Sequence, residues 1–169
     1  MSTQIDWAAP VEPGRGMLGL SLGMRLSEVR DLLGGPGTTR TFANSPRLTV
    51  EDRAPGAIIL RAADIENIAH DWQNIFARLI FEQGELAQIM VSGDLHHAQY
   101  RYKGKLFGNI GLGAPVADLM AFEKFQYDDV EEVFFSEQLP GLEVGGAGAC
   151  DVAVDPAQAV TSVKVFRSR

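Results

Sequence analysis

The stretch Arg78-Leu-Ile-Phe-Glu-Gln-Gly-Glu-Leu-Ala-Gln-Ile-Met-Val-Ser92 contains two largely apolar runs that meet at Gln83-Gly84. A glycine-containing pair between two such runs favours a tight turn, so 78–82 and 86–92 are predicted to form an antiparallel hairpin. Comparable runs at 47–51 and 57–61 predict two further strands ahead of it. The first half of the chain is therefore predicted to contain a β-meander.

Two helices are predicted to accompany these strands. Ser27 is a suitable N-cap for the first helix, which ends at the glycine and proline residues of 34–37. Apolar residues recur at helical spacing between residues 62 and 76, which predicts the second helix. The side chains that the first helix is expected to bury are Leu26, Val29, Leu32 and Leu33.

The first helix and the turn before it return in weakened form later in the chain. The stretch Gly19-Leu-Ser-Leu-Gly-Met-Arg-Leu-Ser-Glu-Val-Arg-Asp-Leu-Leu-Gly34 aligns with Asn109-Ile-Gly-Leu-Gly-Ala-Pro-Val-Ala-Asp-Leu-Met-Ala-Phe122. Such self-similarity is typical of a duplicated unit. The second copy predicts a helix at 115–124, followed by strands at 130–135, 142–144, 151–154 and 160–166.

These patterns together predict an α+β fold of two tandem units, each a helix on an antiparallel sheet. The two sheets could join into one continuous sheet. The expected divisions are an irregular arm at 1–16 anchored by Trp7, a first unit at 17–98 and a second unit at 99–169. With 169 residues, of which 46% are hydrophobic, such a chain can bury a core without disulfides or metal.

The distribution of cysteine and of apolar residues bears on the compartment. Cys150 is the only cysteine, which excludes an internal disulfide and favours a reducing environment. The N-terminal residues lack the basic and apolar regions of a signal peptide, and no apolar stretch approaches the ~20 residues of a membrane span. The chain is therefore expected to be cytoplasmic, without a membrane partner. No cofactor is predicted, because no His and Cys cluster has metal-ligand spacing.

The net charge of −7 is concentrated in one part of the chain. Between Asp118 and Asp155 there are ten acidic residues and one basic residue, Lys124. This distribution opposes nucleic-acid binding and favours a protein partner with a basic surface. A solvated strand end remains an alternative interpretation of the acidic run. The predicted partner-binding residues are Tyr127, Asp128, Asp129, Glu131, Glu132, Glu137 and Glu143.

Other residues with possible chemistry are weaker candidates. Ser21 lies in a G-x-S-x-G pattern, which in hydrolases presents a nucleophilic serine between a parallel strand and a helix. Little chain precedes Ser21, and the strands that follow look antiparallel, so a plain turn is the favoured interpretation. His96 and His97 are adjacent and point to opposite faces of an extended segment, which does not favour a metal site. Alternating basic residues at 100–105 predict a strand with one solvated face.

Two segments resemble known families. Leu22-Gly23-Met24, Ser27-Glu28-Val29 and Leu32-Leu33-Gly34 with Pro36 resemble the helical segment of the β-lactamase-inhibitory-protein family and of small lipoproteins of outer-membrane assembly. The tail from Tyr127 through Leu139-Pro-Gly-Leu142 to Val160–Phe166 is similar to cytoplasmic immunity proteins of bacterial toxin and effector systems. The chain lacks the lipobox cysteine of the lipoproteins and the disulfides of the secreted inhibitor.

The resemblance implies an antiparallel sheet that binds another protein. The leading expectation is a non-catalytic, cytoplasmic immunity protein that blocks a bacterial toxin through its acidic surface. A scaffold or envelope-assembly module that binds peptides is one alternative, and a small hydrolase that uses Ser21 is another.

Overall fold

One antiparallel sheet of nine strands organises the chain, for which a computed structural model describes residues 4–65, 70–93 and 97–168. The strands of this main sheet are β3 (Thr39–Thr41), β4 (Arg47–Arg53), β5 (Ala57–Ala62), β6 (Ile75–Glu82), β7 (Glu85–Ser92), β8 (Gln126–Asp128), β9 (Val133–Phe135), β10 (Leu142–Gly146) and β11 (Val160–Phe166). Their order across the sheet is β3-β4-β5-β6-β7-β11-β10-β9-β8. The sheet therefore consists of two meanders that join where the last strand of each, β7 and β11, pair antiparallel.

A second, smaller sheet and a short helix precede the main sheet in the chain. The strands β1 (Gly16–Met17) and β2 (Leu20–Ser21) form an antiparallel ribbon. The helix α1 (Leu26–Leu33) follows and buries Val29 and Leu33. It begins after Arg25, whose backbone N–H donates to a carboxylate oxygen of Glu28 at 2.8 Å. Ser27 therefore lies inside the first turn, and the prediction that it is the N-cap is wrong.

The predicted α+β class with two helix-plus-sheet units is wrong. The class is mostly β, because the described residues form eleven strands and α1 is the one regular α-helix among them. The predicted helix at 115–124 is instead a 3₁₀ segment at Val116–Ala121. The weak sequence similarity between 19–34 and 109–122 therefore does not correspond to a second helix like α1.

The predicted helix at 62–76 is also wrong. Ala62 is the last residue of β5, a short 3₁₀ turn covers Asp71–Asn74, and β6 begins at Ile75. Residues 66–69 lie outside the described residues. The apolar residues at both ends of this stretch are thus parts of strands, where cross-strand pairing outweighs local helical spacing.

The strand predictions were more accurate for the first meander than for the second. The predicted hairpin at 78–92 is confirmed as β6 and β7, with its turn at Gln83-Gly84. The predicted strand at 151–154 is wrong, because turns occupy those residues in the connection from β10 to β11. The short edge strands β3 and β8 were not predicted.

The inner face of the main sheet carries the hydrophobic core. Alternate residues of neighbouring strands pair directly and are buried, for example Leu79 with Ile89, and Ile89 in turn with Val165. The same face continues into the second meander through Val144 and Phe134. One hydrophobic cluster therefore extends through both halves of the chain. Alternation of this kind is what one buried face of an antiparallel sheet requires.

The inner face is covered mainly by irregular segments, and Trp7 anchors them. Its indole is fully buried and donates to the carbonyl oxygens of Tyr100 and Arg101 at 3.1 and 3.0 Å. The Trp7 ring also meets Tyr102 edge to face, with ring centroids 5.9 Å apart. These contacts tie the N-terminal arm to the segment at 100–105, which is not the predicted strand although Tyr100 and Tyr102 are buried and Lys103 is exposed.

The Tyr102 hydroxyl completes this connection. It donates to the carbonyl oxygen of Ala9 and accepts from the backbone N–H of Leu18, 3.3 Å away. Burial raises the pKa of Tyr102 to about 12 from its ordinary 10.0. The folded protein therefore keeps this proton at pH values where the unfolded chain loses it.

This difference predicts a loss of stability at alkaline pH. Because the unfolded state binds fewer protons than the folded state between pH 10.0 and about 12, the free energy of unfolding should fall as pH rises through that window. The substitution Tyr102→Phe removes this titration, so the stability difference between wild type and variant should shrink by about 2–3 kcal/mol. Urea unfolding of both proteins between pH 10.0 and about 12 measures this difference. If the two free energies of unfolding fell in parallel with pH, Tyr102 would not be the source of the alkaline loss of stability.

Candidate protein-binding groove

The outer face of the main sheet carries most of the predicted partner-binding residues. Cross-strand register places Phe135, Glu143, Lys164 and Met90 in one row across β9, β10, β11 and β7. All four side chains are partly exposed, and no described segment buries this row in the way that the N-terminal arm buries the inner face. The outer face is therefore the surface of the sheet on which polar and charged side chains are concentrated.

A groove of about 400 Å³ lies on this face at β9 and β10. Four carboxylates and two phenylalanine rings contribute to its lining, and the described lining includes no lysine or arginine. The lining residues are Asp128, Glu131, Val133, Phe135, Ser136, Glu137, Leu139, Pro140, Gly141, Leu142, Glu143, Phe166 and Ser168. The groove thus combines apolar walls with an excess of negative charge.

One end of the groove is formed by the turn that joins β8 to β9. A carboxylate oxygen of Asp128 accepts from the backbone N–H groups of Val130 and Glu131, at 2.9 and 3.1 Å. This Asx-type turn fixes the position of Glu131. Val130, at the tip of this turn, is 83% exposed.

The other end is formed by residues 136–141, which connect β9 to β10. The carbonyl oxygen of Gly141 accepts from the backbone N–H of Phe166 at 3.0 Å and from that of Gly14 at 3.2 Å. Gly141 has φ of +86°, and a Cβ there would lie 2.4 Å from the Phe166 carbonyl oxygen. Only glycine permits this approach, which holds the wall of the groove against β11.

One of the four carboxylates is already neutralised. Glu143 forms an ion pair with Lys164, its cross-strand partner. The Lys164 ammonium also lies 5.4 Å from the centroid of the Phe166 ring. Asp128, Glu131 and Glu137 form no ion pair within the described part of the chain. The unbalanced negative charge therefore lies toward the β8–β9 edge.

The structure separates the predicted partner-binding residues into three groups. Asp128, Glu131, Glu137 and Glu143 line the groove, whereas Asp129 and Glu132 are exposed on the β8–β9 turn outside the lining. Tyr127 lies on the inner face, where its ring meets Phe134 with centroids 5.0 Å apart. Burial and then the charge of Glu132 raise the pKa of the Tyr127 phenol.

The two phenylalanines of the groove were missed by the sequence analysis. Phe135 follows the buried Phe134, so strand alternation alone could have assigned it to the opposite face. Phe166 likewise follows the buried Val165, so alternation assigns it to the same outer face, but its place beside the groove depends on the pairing of β11 with β10.

Ser21 does not have the surroundings of a nucleophile elbow. It is exposed on the β1–β2 ribbon, and the main sheet after it is antiparallel. A small cavity of about 170 Å³ beside Ser21 contains Glu12 and no histidine among its described lining residues. Of the two adjacent histidines considered as metal ligands, His96 lies outside the described residues and His97 is partly buried.

The remaining polar candidates are not assembled into a metal site. Within residues 4–65, 70–93 and 97–168, no group of three or more His, Cys, Asp or Glu side chains is arranged to hold a metal ion. Cys150 is partly buried, and the Gln158 amide nitrogen lies 3.8 Å from its sulfur. Among the described helices, none has the length and apolar composition of a bilayer span.

Comparison with known proteins gives little similarity. No protein-family model matches the chain, and no curated protein sequence matches it. A solved structure of a cysteine-rich secretory protein from Staphylococcus aureus is similar with a TM-score of 0.41 and 9% sequence identity. The match covers 99% of this chain and 51% of that protein, so this chain spans about half of its length. A similarity at this level carries no inference about function.

The wall of the groove can be tested at Gly141. Gly141→Ala should destabilise the protein more than Gly35→Ala, because both positions have left-handed φ values, +86° and +84°, but a Cβ at Gly35 meets nothing within 4 Å. Both variants incur the left-handed cost of about 1–2 kcal/mol. Only Gly141→Ala adds a collision with backbone. Equal losses in urea unfolding would show that Gly141 does not hold the wall through close approach.

Proposed function

We propose that this protein is a non-catalytic protein-binding module that holds a cationic surface of another protein in the acidic groove. The supporting observation is the groove lining itself, with four carboxylates, two phenylalanines and no lysine or arginine among its described residues. Lysine and arginine side chains have an aliphatic stem and a cationic head, and they bind best where apolar walls and carboxylates occur together.

The role that fits this chemistry is immunity toward a bacterial toxin. An enzyme that acts on an anionic substrate such as nucleic acid has a cationic cleft, and an acidic protein surface can occlude that cleft. Opposite charges on the two surfaces also increase the rate of association by steering the encounter. The net charge of −7 adds a long-range contribution in the same direction. The outer face offers a surface next to the groove on which the roughly 800 Å² per partner of a standard interface could form.

Charge reversal in the groove tests the proposal. The double variant Glu131→Lys, Glu137→Lys changes two exposed groove residues, and the control Asp31→Lys, Asp118→Lys makes the same change in net charge elsewhere. Each protein is immobilised and exposed at low salt to a lysate of the organism that encodes it. We expect wild type and control to retain the same proteins and the groove variant to lose them.

Surface plasmon resonance with the retained protein then measures the rates. Association with wild type should slow by about tenfold when salt is raised from low to physiological concentration, because steering is screened. Binding that ignores both salt and the groove variant would contradict the acidic groove and would favour the peptide-binding scaffold.

Removing the positive charge of Lys164 should increase the affinity for the partner. Lys164→Gln releases Glu143 from its ion pair and leaves all four groove carboxylates unpaired by lysine. The affinity for the cationic partner should therefore increase, by about fivefold for a gain of about 1 kcal/mol. Titration calorimetry with the captured partner measures this change. A decrease in affinity, with unfolding behaviour unchanged, would mean that the partner does not use the Glu143 carboxylate.

A further inference from the structure

A second groove lies beside the first and shares Phe166 with it. It has a volume of about 480 Å³ and follows the end of the β6–β7 hairpin. Its lining residues are Glu82, Gln83, Glu85, Ala87, Gln88, Phe166, Arg167 and Ser168. Phe166 and Ser168 also line the first groove, so the two grooves meet at the Phe166 ring.

The second groove continues the negative charge of the first. The two described linings together contain six carboxylates and one guanidinium, that of Arg167. Arg167 is already paired with Glu85 at 2.9 Å. Glu82 is exposed and has no ion-pair partner within the described part of the chain. Negative charge therefore lies on both sides of one aromatic ring.

The polar side chains of the second groove suit a peptide backbone. The amides of Gln83 and Gln88 have no hydrogen-bond partner among the residues that the structure describes. Each amide can both donate and accept a hydrogen bond, as the backbone of an extended peptide requires. Nucleic acid, which offers phosphates, would instead be repelled by the carboxylates.

We propose that the two grooves form one site for an extended peptide segment in which an aliphatic residue has lysine or arginine two positions before it and two positions after it, because alternate residues of an extended segment face the same side. The inference rests on the proposed function, since the segment belongs to the cationic partner. Aliphatic side chains contact Phe166, and cationic side chains reach Glu137 on one side and Glu82 on the other. The distance from β9 to β6 spans four strand spacings, about 19 Å, which an extended segment covers with about six residues.

Synthetic hexapeptides test the site without knowledge of the partner. A fluorescein-labelled peptide with lysine at positions 1 and 5, leucine at position 3 and serine elsewhere, the lysine–leucine peptide, is titrated with the protein at low salt and followed by fluorescence anisotropy. The ligand controls are a glutamate–leucine peptide, in which glutamate replaces both lysines, and a lysine–serine peptide, in which serine replaces the leucine. The protein variants are Glu137→Lys, Glu82→Lys and, as a control for net charge, Asp31→Lys.

The lysine–leucine peptide should bind most tightly of the three. Glu137→Lys and Glu82→Lys should each weaken its binding by about fivefold, and Asp31→Lys should leave it nearly unchanged. A response to Glu137→Lys alone would overturn the two-groove site, as would equal binding of the glutamate–leucine or lysine–serine peptide. If the peptide fails to bind while the groove variant still loses its captured partner, this inference fails and the proposed function stands. If the captured proteins are also unaffected, both fail.

Discussion

The antiparallel pairing of β7 with β11 is the contact on which the rest of the structure depends. It joins the last strands of two meanders that are distant in the chain, and its inner-face pairs, Ile89 with Val165 and Val91 with Val163, are all buried. Each meander alone would leave a row of unpaired backbone groups and half of an apolar face in water. Their union makes one sheet and one continuous hydrophobic cluster.

The two faces of this sheet have different surroundings. The inner face is covered by segments with little regular structure, which Trp7 and Tyr102 connect through buried hydrogen bonds. The outer face is left with charged and aromatic side chains, among them Glu143 and Phe166. The same alternation that buries one set of residues therefore leaves the other set partly exposed to solvent.

The grooves arise where several connections meet the outer face. The 136–141 connection is held against β11 through Gly141, and the β8–β9 turn is fixed by the Asp128 carboxylate. The pair between Glu143 and Lys164 moderates the negative charge at the centre of the face, whereas Glu137 and Glu82 remain at its two sides. This arrangement places an aromatic ring between two acidic regions, and the proposed function and peptide site both follow from it.

The sequence by itself determined the local features: the β6–β7 hairpin, the buried side of α1 and the concentration of acidic residues after Asp118. These depend on residues close in the chain, whose spacing and turn chemistry are visible in one window. Local spacing also predicted α-helices at 62–76 and 115–124, and both predictions are wrong. In the described part of 62–76, β5 ends and β6 begins, and a 3₁₀ segment occupies Val116–Ala121. Only the tertiary structure decided that the acidic residues divide between a groove and an exposed turn and that Phe166 lies among them. Strand pairing joins residues far apart in the chain, and no local pattern carries that register.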